Sequence, residues 1–293
     1  MTAHQSAAVG PPLTVPVEVA DCSDAAWNQV RRDLRQSGSA LLWARLSALG
    51  AKVPGDETLR EVLGRDWSRY LELTHADVRR RYAASRLLLK YAAGAVLRSD
   101  PEQLELAYGA TGRPYLRGYD QIDISLSHTG DVLLVGLTTR GLIGVDAERM
   151  DRQMYGGGLG RHVCTPYELI TLAALDERER NPSLVRLWTL KEAYSKAIGQ
   201  GMNFRFTEFG FGPDGRPVQV QRPDGTIGTG DEWGFRSFVI DDAYCVSAAV
   251  YDAGFGSTAE MDVATMLDQD CVDAIEDALG DGEVFNDWPC RGN

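Results

Sequence analysis

Two short carboxylate clusters, about forty residues apart, contain the residue types that bind a metal ion and a phosphate group. The first, residues 144–148 (GVDAE), alternates apolar with polar residues, so a strand would place its two acids on one face. In the second, residues 188–196 (WTLKEAYSK), helical spacing puts Glu192 and Lys196 on one stripe. Carboxylates supply the hard oxygen ligands that Mg²⁺ prefers, and an ammonium binds phosphate oxygens. Together the clusters predict phosphoryl chemistry.

The length of the chain favours two packed halves around these clusters. At 293 residues it exceeds the usual size of a single domain. With 44% hydrophobic and 25% charged residues, it has the composition of an ordinary globular protein. We expect a flexible N-terminal segment, an N-terminal half, a C-terminal half with the metal site, and an acidic tail, at residues 1–20, 21–140, 141–255 and 256–293.

Composition argues against several classes of protein. No apolar run approaches the roughly 20 residues that span a bilayer, so we expect no membrane insertion. Residues 1–20 lack a basic start followed by an apolar block, so they do not resemble a secretory signal, and we expect a cytoplasmic protein. Five scattered cysteines fit neither a disulfide framework nor a CxxC metal pair. The net charge of −12 argues against nucleic-acid binding.

Charge is unevenly distributed along the chain. Residues 260–287 include ten acids and no base. Lysine is scarce, since the 30 basic residues include only Lys52, Lys90, Lys191 and Lys196. Two of these four lie in the second cluster, which favours a chemical requirement for a compact ammonium there.

Hydrophobic periodicity predicts a mixture of helices and strands. The clearest helix, residues 79–98, is amphipathic with a basic face. A capping box at Thr165, with Pro at N1 and Glu at N3, predicts a helix through Leu175. Further helices are predicted at 27–49, interrupted near Gly38, at 183–198 and at 258–280. Predicted strands are 104–108, 122–126, a hairpin of 132–138 with 142–148, then 204–211, 218–221, 234–240 and 244–251.

A series of motifs in one order resembles the Sfp-type 4′-phosphopantetheinyl transferases. It comprises the Arg-rich helix, Gly112-Arg113-Pro114, Ser125-Leu126-Ser127-His128-Thr129-Gly130 and the two carboxylate clusters. The resemblance covers about residues 75–250. It implies an α+β fold, a pseudo-twofold pair of similar α/β-sandwich halves with the active site in the cleft between them. The implied reaction transfers the 4′-phosphopantetheine arm of coenzyme A to a carrier-protein serine and releases adenosine 3′,5′-bisphosphate.

The resemblance assigns the metal and catalytic roles to the two clusters. Asp146, Glu148 and Glu192 correspond to the acids that hold Mg²⁺ against the pyrophosphate of coenzyme A, and Mn²⁺ shares this ligand preference. Glu192 is also the favoured general base for the carrier serine. Lys196 corresponds to a phosphate contact, and Lys191, which lies off the Glu192 stripe, is a further candidate for contact with the cofactor. The predicted catalytic residues are Glu192, Asp146 and Lys196.

Other cofactor contacts correspond to motifs that precede the clusters. His128 resembles a histidine that contacts the adenylate end of coenzyme A, with Ser127 beside it. Arg113 stands where the family often has lysine, and either cation could bind a nucleotide phosphate. Arg81 and Arg86, on the predicted basic helix, are further candidates for phosphate contacts.

The resemblance also implies the partner. Acyl, aryl or peptidyl carrier proteins of fatty-acid, polyketide or nonribosomal-peptide assembly are generally acidic around their acceptor serine. We therefore expect an apolar and basic docking surface near residues 152–175, with Arg152 and Arg161 as candidates. The acidic tail is expected to be a solvated appendage, or alternatively a carrier mimic that competes for this surface. A monomer is expected, because internal duplication removes the need for a symmetric dimer.

Two other functions stay open at this point. A metal-dependent hydrolase of nucleotide pyrophosphates would use water as the attacking group, although the sequence has no independent hydrolase motif. A catalytically idle carrier-binding module would keep the docking surface without turnover. The three retained acids together with Lys196 count against an idle module.

Overall fold

The chain folds into a mixed α+β structure in which helices pack against several sheets. The computed structural model describes residues 10–19, 24–200, 204–212 and 219–255. The strands are β1 (Val17–Glu18), β2 (Ser39–Arg45), β3 (Leu106–Tyr108), β4 (Pro114–Leu116), β5 (Asp123–Thr129), β6 (Val132–Thr138), β7 (Gly141–Arg149), β8 (Trp233–Ile240) and β9 (Tyr244–Asp252). The α-helices are α1 (Asp24–Ser37), α2 (Leu46–Gly50), α3 (Asp56–Leu63), α4 (Asp66–Glu72), α5 (Ala76–Leu97), α6 (Gly160–Val163), α7 (Pro166–Ala174) and α8 (Glu177–Ala197).

The larger and the smaller of the main sheets have related strand orders. The larger sheet runs β1-β2-β6-β5 and the smaller one runs β7-β9-β8, while β3 and β4 form a separate pair. In the larger sheet, β6 lies between β5, its hairpin partner, and the earlier strand β2. In the smaller sheet, β9 likewise lies between β8, its hairpin partner, and the earlier strand β7. The chain passes from the larger to the smaller sheet between Thr138 and Gly141.

The two main sheets approach each other along strands β5 and β7 through side chains. The amides of Ile143, Val145 and Ala147 donate to Asp123 Oδ2 (2.7 Å), Ser125 Oγ (3.1 Å) and Ser127 Oγ (3.3 Å), respectively. We call these contacts the β5–β7 seam. Alternate residues of β5 point to the same side, so the polar residues of its Asp-Ile-Ser-Leu-Ser run all face β7. The seam supplies acceptors to edge amides that are otherwise without a strand partner.

A long helix packs against each main sheet. Helix α5 joins β2 and β6 in one apolar core, to which it contributes Leu88 and Leu89. Helix α8 joins β9 in a second core, to which it contributes Leu187 and Leu190. A third apolar cluster joins the sheets to each other, with members on β2, β6, β7 and β9. Tertiary packing therefore fixes both helices against the strands that carry the sequence motifs.

Each long helix also carries a buried lysine that is bonded to a backbone carbonyl. Lys90 on α5 donates to the carbonyl of Val62, and Lys191 on α8 donates to the carbonyl of Val163 at 2.7 Å. Both bonds join residues that are 28 positions apart in the sequence. The carbonyls lie in α3 and α6, so each lysine fixes one short helix against a long one.

Four predictions of local structure are wrong, and one of them is the strand at 218–221, of which the described residues 219–221 contain only isolated bridges at Gln221. Strands β6 and β7 do not form a hairpin, because β6 pairs with β2 and β5 whereas β7 pairs with β9. Residues 39–45 form strand β2 instead of continuing a helix, since a short apolar run also suits a buried strand. Residues 204–211 contain a 3₁₀ helix, Phe206–Glu208, and an isolated bridge at Gly210 instead of a strand.

Other predictions of local structure are confirmed. The basic helix corresponds to α5, the capping box at Thr165 opens α7, and β8 and β9 lie where strands were expected. Helix α8 begins at Glu177, before the predicted start, and tolerates Pro182 near its beginning. Cys164 and Cys245 are buried free thiols. The predicted helix at 258–280 and Cys22, Cys271 and Cys290 lie outside the described residues, and the division into halves stays a prediction. Among the helices described, none is both long and apolar enough to cross a membrane.

Candidate active site

Gly144 sets the distance between strand β7 and helix α8. A Cβ atom at this position would lie 1.9 Å from the carbonyl oxygen of Ala193 and 2.5 Å from the amide nitrogen of Ala197. Glycine therefore lets the helix lie directly on the strand. Because side chains alternate along a strand, Asp146 and Glu148 share the face of β7 that carries Gly144. The first carboxylate cluster thus faces the second.

Asp146 is held in a compact network beside the β5–β7 seam. Its Oδ1 accepts hydrogen bonds from the Ser127 hydroxyl (2.8 Å) and from the Lys196 ammonium (2.7 Å). Lys196 also donates to Ser127 Oγ and to the carbonyl of Val145, both at 3.1 Å. These contacts place Ser127 and Lys196 in the predicted site, where they orient the carboxylate and balance its charge.

Glu148 is bound by donors on both of its oxygens. Oε1 accepts from the Thr129 hydroxyl at 3.1 Å and from the amide of Arg149 at 2.8 Å. Oε2 is paired with the guanidinium of Arg152. The guanidinium also lies over the ring of Trp188, 5.6 Å from its centroid.

Glu192 lies half-buried on α8, close enough to Asp146 for their charges to interact. Burial raises the pKa of Glu192, the charge of Asp146 raises it further, and Lys196 opposes both effects. A pocket of about 320 Å³ is lined by Glu192, Asp146, Glu148 and Lys196, among other residues. Two neighbouring carboxylates that repel each other favour a cation between them.

The donors in this pocket suit a hard divalent cation, but the three acids do not form a ready-made ligand group. Within the described ranges, no three His, Cys, Asp or Glu side chains are grouped closely enough to hold a metal ion. Glu148 instead faces Arg152, Thr129 and a backbone amide. Asp146 and Glu192 therefore fit a cation site by charge and proximity, whereas Glu148 would join them only after its pairing with Arg152 breaks.

His128 lines the same pocket and is exposed at its rim. Partial desolvation by the surrounding protein lowers the pKa of His128, and the positive charges of Arg81 and Lys196 lower it further. A bound phosphate would face this group of cations. The structure thus places the predicted Arg81 near His128, although Arg81 is not among the lining residues of the pocket.

Arg86, on helix α5, lies in a cluster of polar and aromatic side chains. Its Nε is 3.4 Å from Asp66 Oδ2, and its guanidinium lies over the rings of Tyr82 and Tyr108, 4.6 and 5.3 Å from their centroids. Tyr108 donates to the same Asp66 oxygen at 2.7 Å. Burial is the main reason that the pKa of Tyr108 is raised, so its hydroxyl stays protonated. Arg86 is thus held in place, and its charge still reaches His128.

Two predicted cofactor contacts point away from the pocket. Lys191 is fully buried, where it pairs with Glu168 at 2.6 Å and donates to three backbone carbonyls. Its ammonium is needed there because a buried lysine without acceptors would be strongly destabilising. Arg113 pairs with Asp123 and donates to the carbonyls of Ala197 and Ile143. In this arrangement the guanidinium of Arg113 links β5 to α8 and β7 and does not face the pocket.

Sequence reasoning missed three features of the site. Thr129 was quoted only as part of a motif, yet it binds Glu148. The sequence favours carrier docking for Arg152, yet this residue lines the pocket together with Trp188. The seam formed by Asp123 could have been found from the alternation of polar residues in β5, since these polar residues require partners on a neighbouring strand.

Comparisons with known proteins point to one family of enzymes. Residues 142–249 match the 4′-phosphopantetheinyl transferase superfamily. The chain is 30% identical over 217 residues to the 4′-phosphopantetheinyl transferase HetI of Nostoc sp., an alignment that covers 73% of this chain and 84% of that protein. The chain belongs to the 4′-phosphopantetheinyl transferase superfamily. The names of these relatives describe phosphopantetheinyl transferases, and none of them names a hydrolase or an inactive carrier-binding module.

Two further relatives match over shorter parts of their length. A phosphopantetheinyl transferase of Thraustochytrium sp. is 34% identical over 187 residues, which cover 59% of this chain and 64% of that protein. A Synechocystis sp. protein, named as a candidate 4′-phosphopantetheinyl transferase, is 32% identical over 127 residues. The chain spans about half of the Synechocystis protein, since the alignment covers 52% of it and 43% of this chain.

Proposed function

We propose that this chain transfers the 4′-phosphopantetheine arm of coenzyme A to a serine of acyl, aryl or peptidyl carrier proteins in a divalent-cation-dependent reaction. The observation that carries the proposal is one pocket that combines Asp146, Glu148 and Glu192 with Lys196 and His128. Opposite charges gathered in this way suit a metal-bound diphosphate better than a neutral substrate. Mg²⁺ is the proposed cation, and Mn²⁺ would suit the same oxygen donors.

The proposed mechanism divides the work among the residues of the pocket. Asp146 and Glu192, with Glu148 once it is released, would hold the cation, which would withdraw charge from the phosphorus under attack. Lys196, fixed by Asp146 and Ser127, would bind phosphate oxygens. His128 and Arg81 would bind the phosphate at the adenylate end. In the free protein, burial and the charge of Asp146 raise the pKa of Glu192, which suits a general base for the carrier serine. A bound cation would oppose this shift, so the roles of Glu192 as metal ligand and as base compete.

Carrier docking is proposed beside helix α7. A second pocket, of about 530 Å³, is lined by Arg161 and His162 together with apolar side chains that include Leu169 and Leu172. Tyr167 and Ile170 are exposed on the same helix. This combination of apolar and basic groups suits an acidic carrier helix. The release of adenosine 3′,5′-bisphosphate and the monomeric, cytoplasmic state belong to the same proposal.

An internal pseudo-twofold relation between the halves is proposed as well. It is supported by the strand orders β2-β6-β5 and β7-β9-β8, and by the succession α3-α4-α5 and α6-α7-α8. The buried lysines of α5 and α8, each bonded to a carbonyl 28 residues earlier, occupy equivalent places in this scheme. The proposed active site lies where the two halves meet.

The mass of an apo-carrier incubated with coenzyme A and Mg²⁺ tests the activity. We expect the wild-type protein to add about 340 Da, the mass of the transferred arm. Asp146→Ala should slow the transfer by about 10²–10³-fold, because it removes a charged group that faces the diphosphate. Asp151→Ala is a matched control, since Asp151 pairs with Arg149 on the surface. Hydrolysis of coenzyme A without a gain in carrier mass would indicate the hydrolase instead.

A further inference from the structure

A positively charged side chain of the protein itself, that of Arg152, is bound to Glu148. Glu148 Oε1 is bound by neutral donors of the fold, the Thr129 hydroxyl and the Arg149 amide. Oε2 is paired with the guanidinium of Arg152. The side chain of Glu148 is 12% exposed whereas that of Arg152 is 46% exposed, so the acid is fixed and its partner is accessible to water. Oε2 is therefore the oxygen whose partner can be exchanged.

Two contacts would keep Arg152 near the pocket after it leaves Glu148. Its backbone carbonyl accepts a hydrogen bond from Asn181 at 3.0 Å, which ties the loop after β7 to helix α8. Its guanidinium lies over the Trp188 ring, one helical turn before Glu192. A cation over an indole face is attracted to it without a counter-ion. The side chain can thus leave Glu148 and keep its contact with Trp188, with little movement of the backbone.

Lys196 provides the contrast within the same pocket. Its ammonium has three oxygen acceptors, the Asp146 carboxylate, the Ser127 hydroxyl and the Val145 carbonyl. Its side chain is 29% exposed, less than that of Arg152. Displacing Lys196 would break all three of these hydrogen bonds, one of them to a buried carboxylate, which opposes its removal. Of these two cations, Arg152 is the one that a metal ion can replace.

We infer that Arg152 competes with the divalent cation for Glu148 and thereby sets the metal affinity of the free protein. This inference rests on the proposed function, since it takes Glu148 as a metal ligand. A divalent ion and a guanidinium on the same oxygen would be within a few ångströms of each other, and their like charges repel. Metal binding therefore displaces Arg152, which then lies along Trp188 as a wall of the pocket. Arg152 is a positioning residue, because it acts through Glu148.

Calorimetric titration of the full-length protein with MgCl₂ alone tests this inference. Arg152→Gln removes the competing charge and should lower the Kd for Mg²⁺ by roughly two- to fivefold, the range expected for loss of a half-exposed ion pair. Arg69→Gln is the matched control, because it removes the same charge from a surface ion pair with Glu72 on helix α4. The control should leave the Kd nearly unchanged.

A second measurement separates competition from a general change in charge or folding. Saturating Mg²⁺ should raise the Tm of Arg152→Gln more than that of the wild type, relative to each protein in EDTA. An unchanged or weaker Mg²⁺ affinity in Arg152→Gln would overturn the inference, as would equal effects of the two arginine variants. If the wild type binds no Mg²⁺ and modifies the carrier equally well in EDTA, metal dependence fails together with the inference. If the wild type requires Mg²⁺ and only the arginine result fails, the proposed function stands.

Discussion

His128 lies in a field of cations that a bound phosphate would counterbalance. Desolvation, Arg81 and Lys196 lower the pKa of His128 in the free protein, so its imidazole is neutral near pH 7. Binding of adenosine 3′,5′-bisphosphate should raise this pKa, because the added negative charge stabilises the imidazolium. Linkage then requires tighter binding of the bisphosphate as the pH falls through neutral. NMR titration of the imidazole, with and without the bisphosphate, measures both pKa values.

His128→Gln provides the control for this titration. The variant identifies the His128 resonance among the four histidines of the chain, and it should remove most of the pH dependence of bisphosphate binding. The lowered pKa of His128 also makes the stability of the protein rise with pH, because the unfolded chain binds the proton more readily than the folded protein does. Its stabilising contribution is present above the ordinary histidine value of about 6.5 and is lost as the pH falls below it. An identical pKa with and without bisphosphate would contradict contact with the phosphate.

Arg161 offers a separate test of carrier docking, because it lines the second pocket and not the first. Arg161→Glu should raise the KM for an acidic carrier by about three- to tenfold and leave the KM for coenzyme A nearly unchanged. Arg60→Glu makes the same charge change on the exposed surface of α3 and should alter neither. Steady-state kinetics with each substrate varied in turn measures the effect. Equal changes in both KM values would count against docking at Arg161.

The two lysines of the second cluster show how far residue type predicts a role. Both are ammonium groups in one motif, and spacing alone already placed Lys196 on the stripe of Glu192. Lys196 does reach Asp146, whereas Lys191 pairs with the buried Glu168 on the opposite side of the helix. The role of Lys191 depends on α7 and on the loop after α8, which supply its acceptors. Such contacts between distant parts of the chain cannot be predicted from a local sequence pattern.

The approach of helix α8 to strand β7 is the element-scale feature on which the site depends. Gly144→Ala places a Cβ 1.9 Å from a backbone oxygen of α8, so the helix must move away. We expect a loss of stability of about 1–3 kcal/mol from overpacking. We also expect a fall in kcat of about 10²-fold, because Glu192 and Lys196 move with the helix. Denaturant unfolding and the carrier-mass assay measure the two effects.

Gly156→Ala is the matched control for Gly144→Ala. A Cβ at Gly156 meets no atom within 4 Å, so this substitution should leave the free energy of unfolding nearly unchanged. A Gly144→Ala protein with wild-type stability and kcat would show that α8 tolerates the displacement. The motif glycine would then have no role in positioning the two carboxylate clusters.

Strand partners were harder to predict than the strands themselves. The alternation in residues 144–148 correctly placed Asp146 and Glu148 on one face of β7. It could not show that β7 pairs with β9, about a hundred residues later, because alternation is satisfied by any partner with an apolar face. The single sequence therefore predicted which residues share a face, and the pairing came from the packing of the whole chain.

At the scale of the whole molecule, most of the net negative charge lies in the C-terminal tail. Deleting residues 258–293 removes the ten acids of 260–287 and should lower the KM for an acidic carrier by about two- to threefold at low salt, since like charges repel. The difference should vanish at high ionic strength, where the Debye length is about 3 Å. Carrier kinetics at two salt concentrations makes the comparison. An unchanged KM at low salt would show that the tail does not influence carrier binding electrostatically.

The β5–β7 seam also satisfies amides on an edge of the smaller sheet that another strand could otherwise pair with. Ile143, Val145 and Ala147 would present a row of unpaired amides if Asp123, Ser125 and Ser127 were replaced by alanine. Such an exposed edge can recruit a strand from another molecule. The hydroxyls and the carboxylate of β5 thus close this edge of the sheet in the way that a neighbouring strand would.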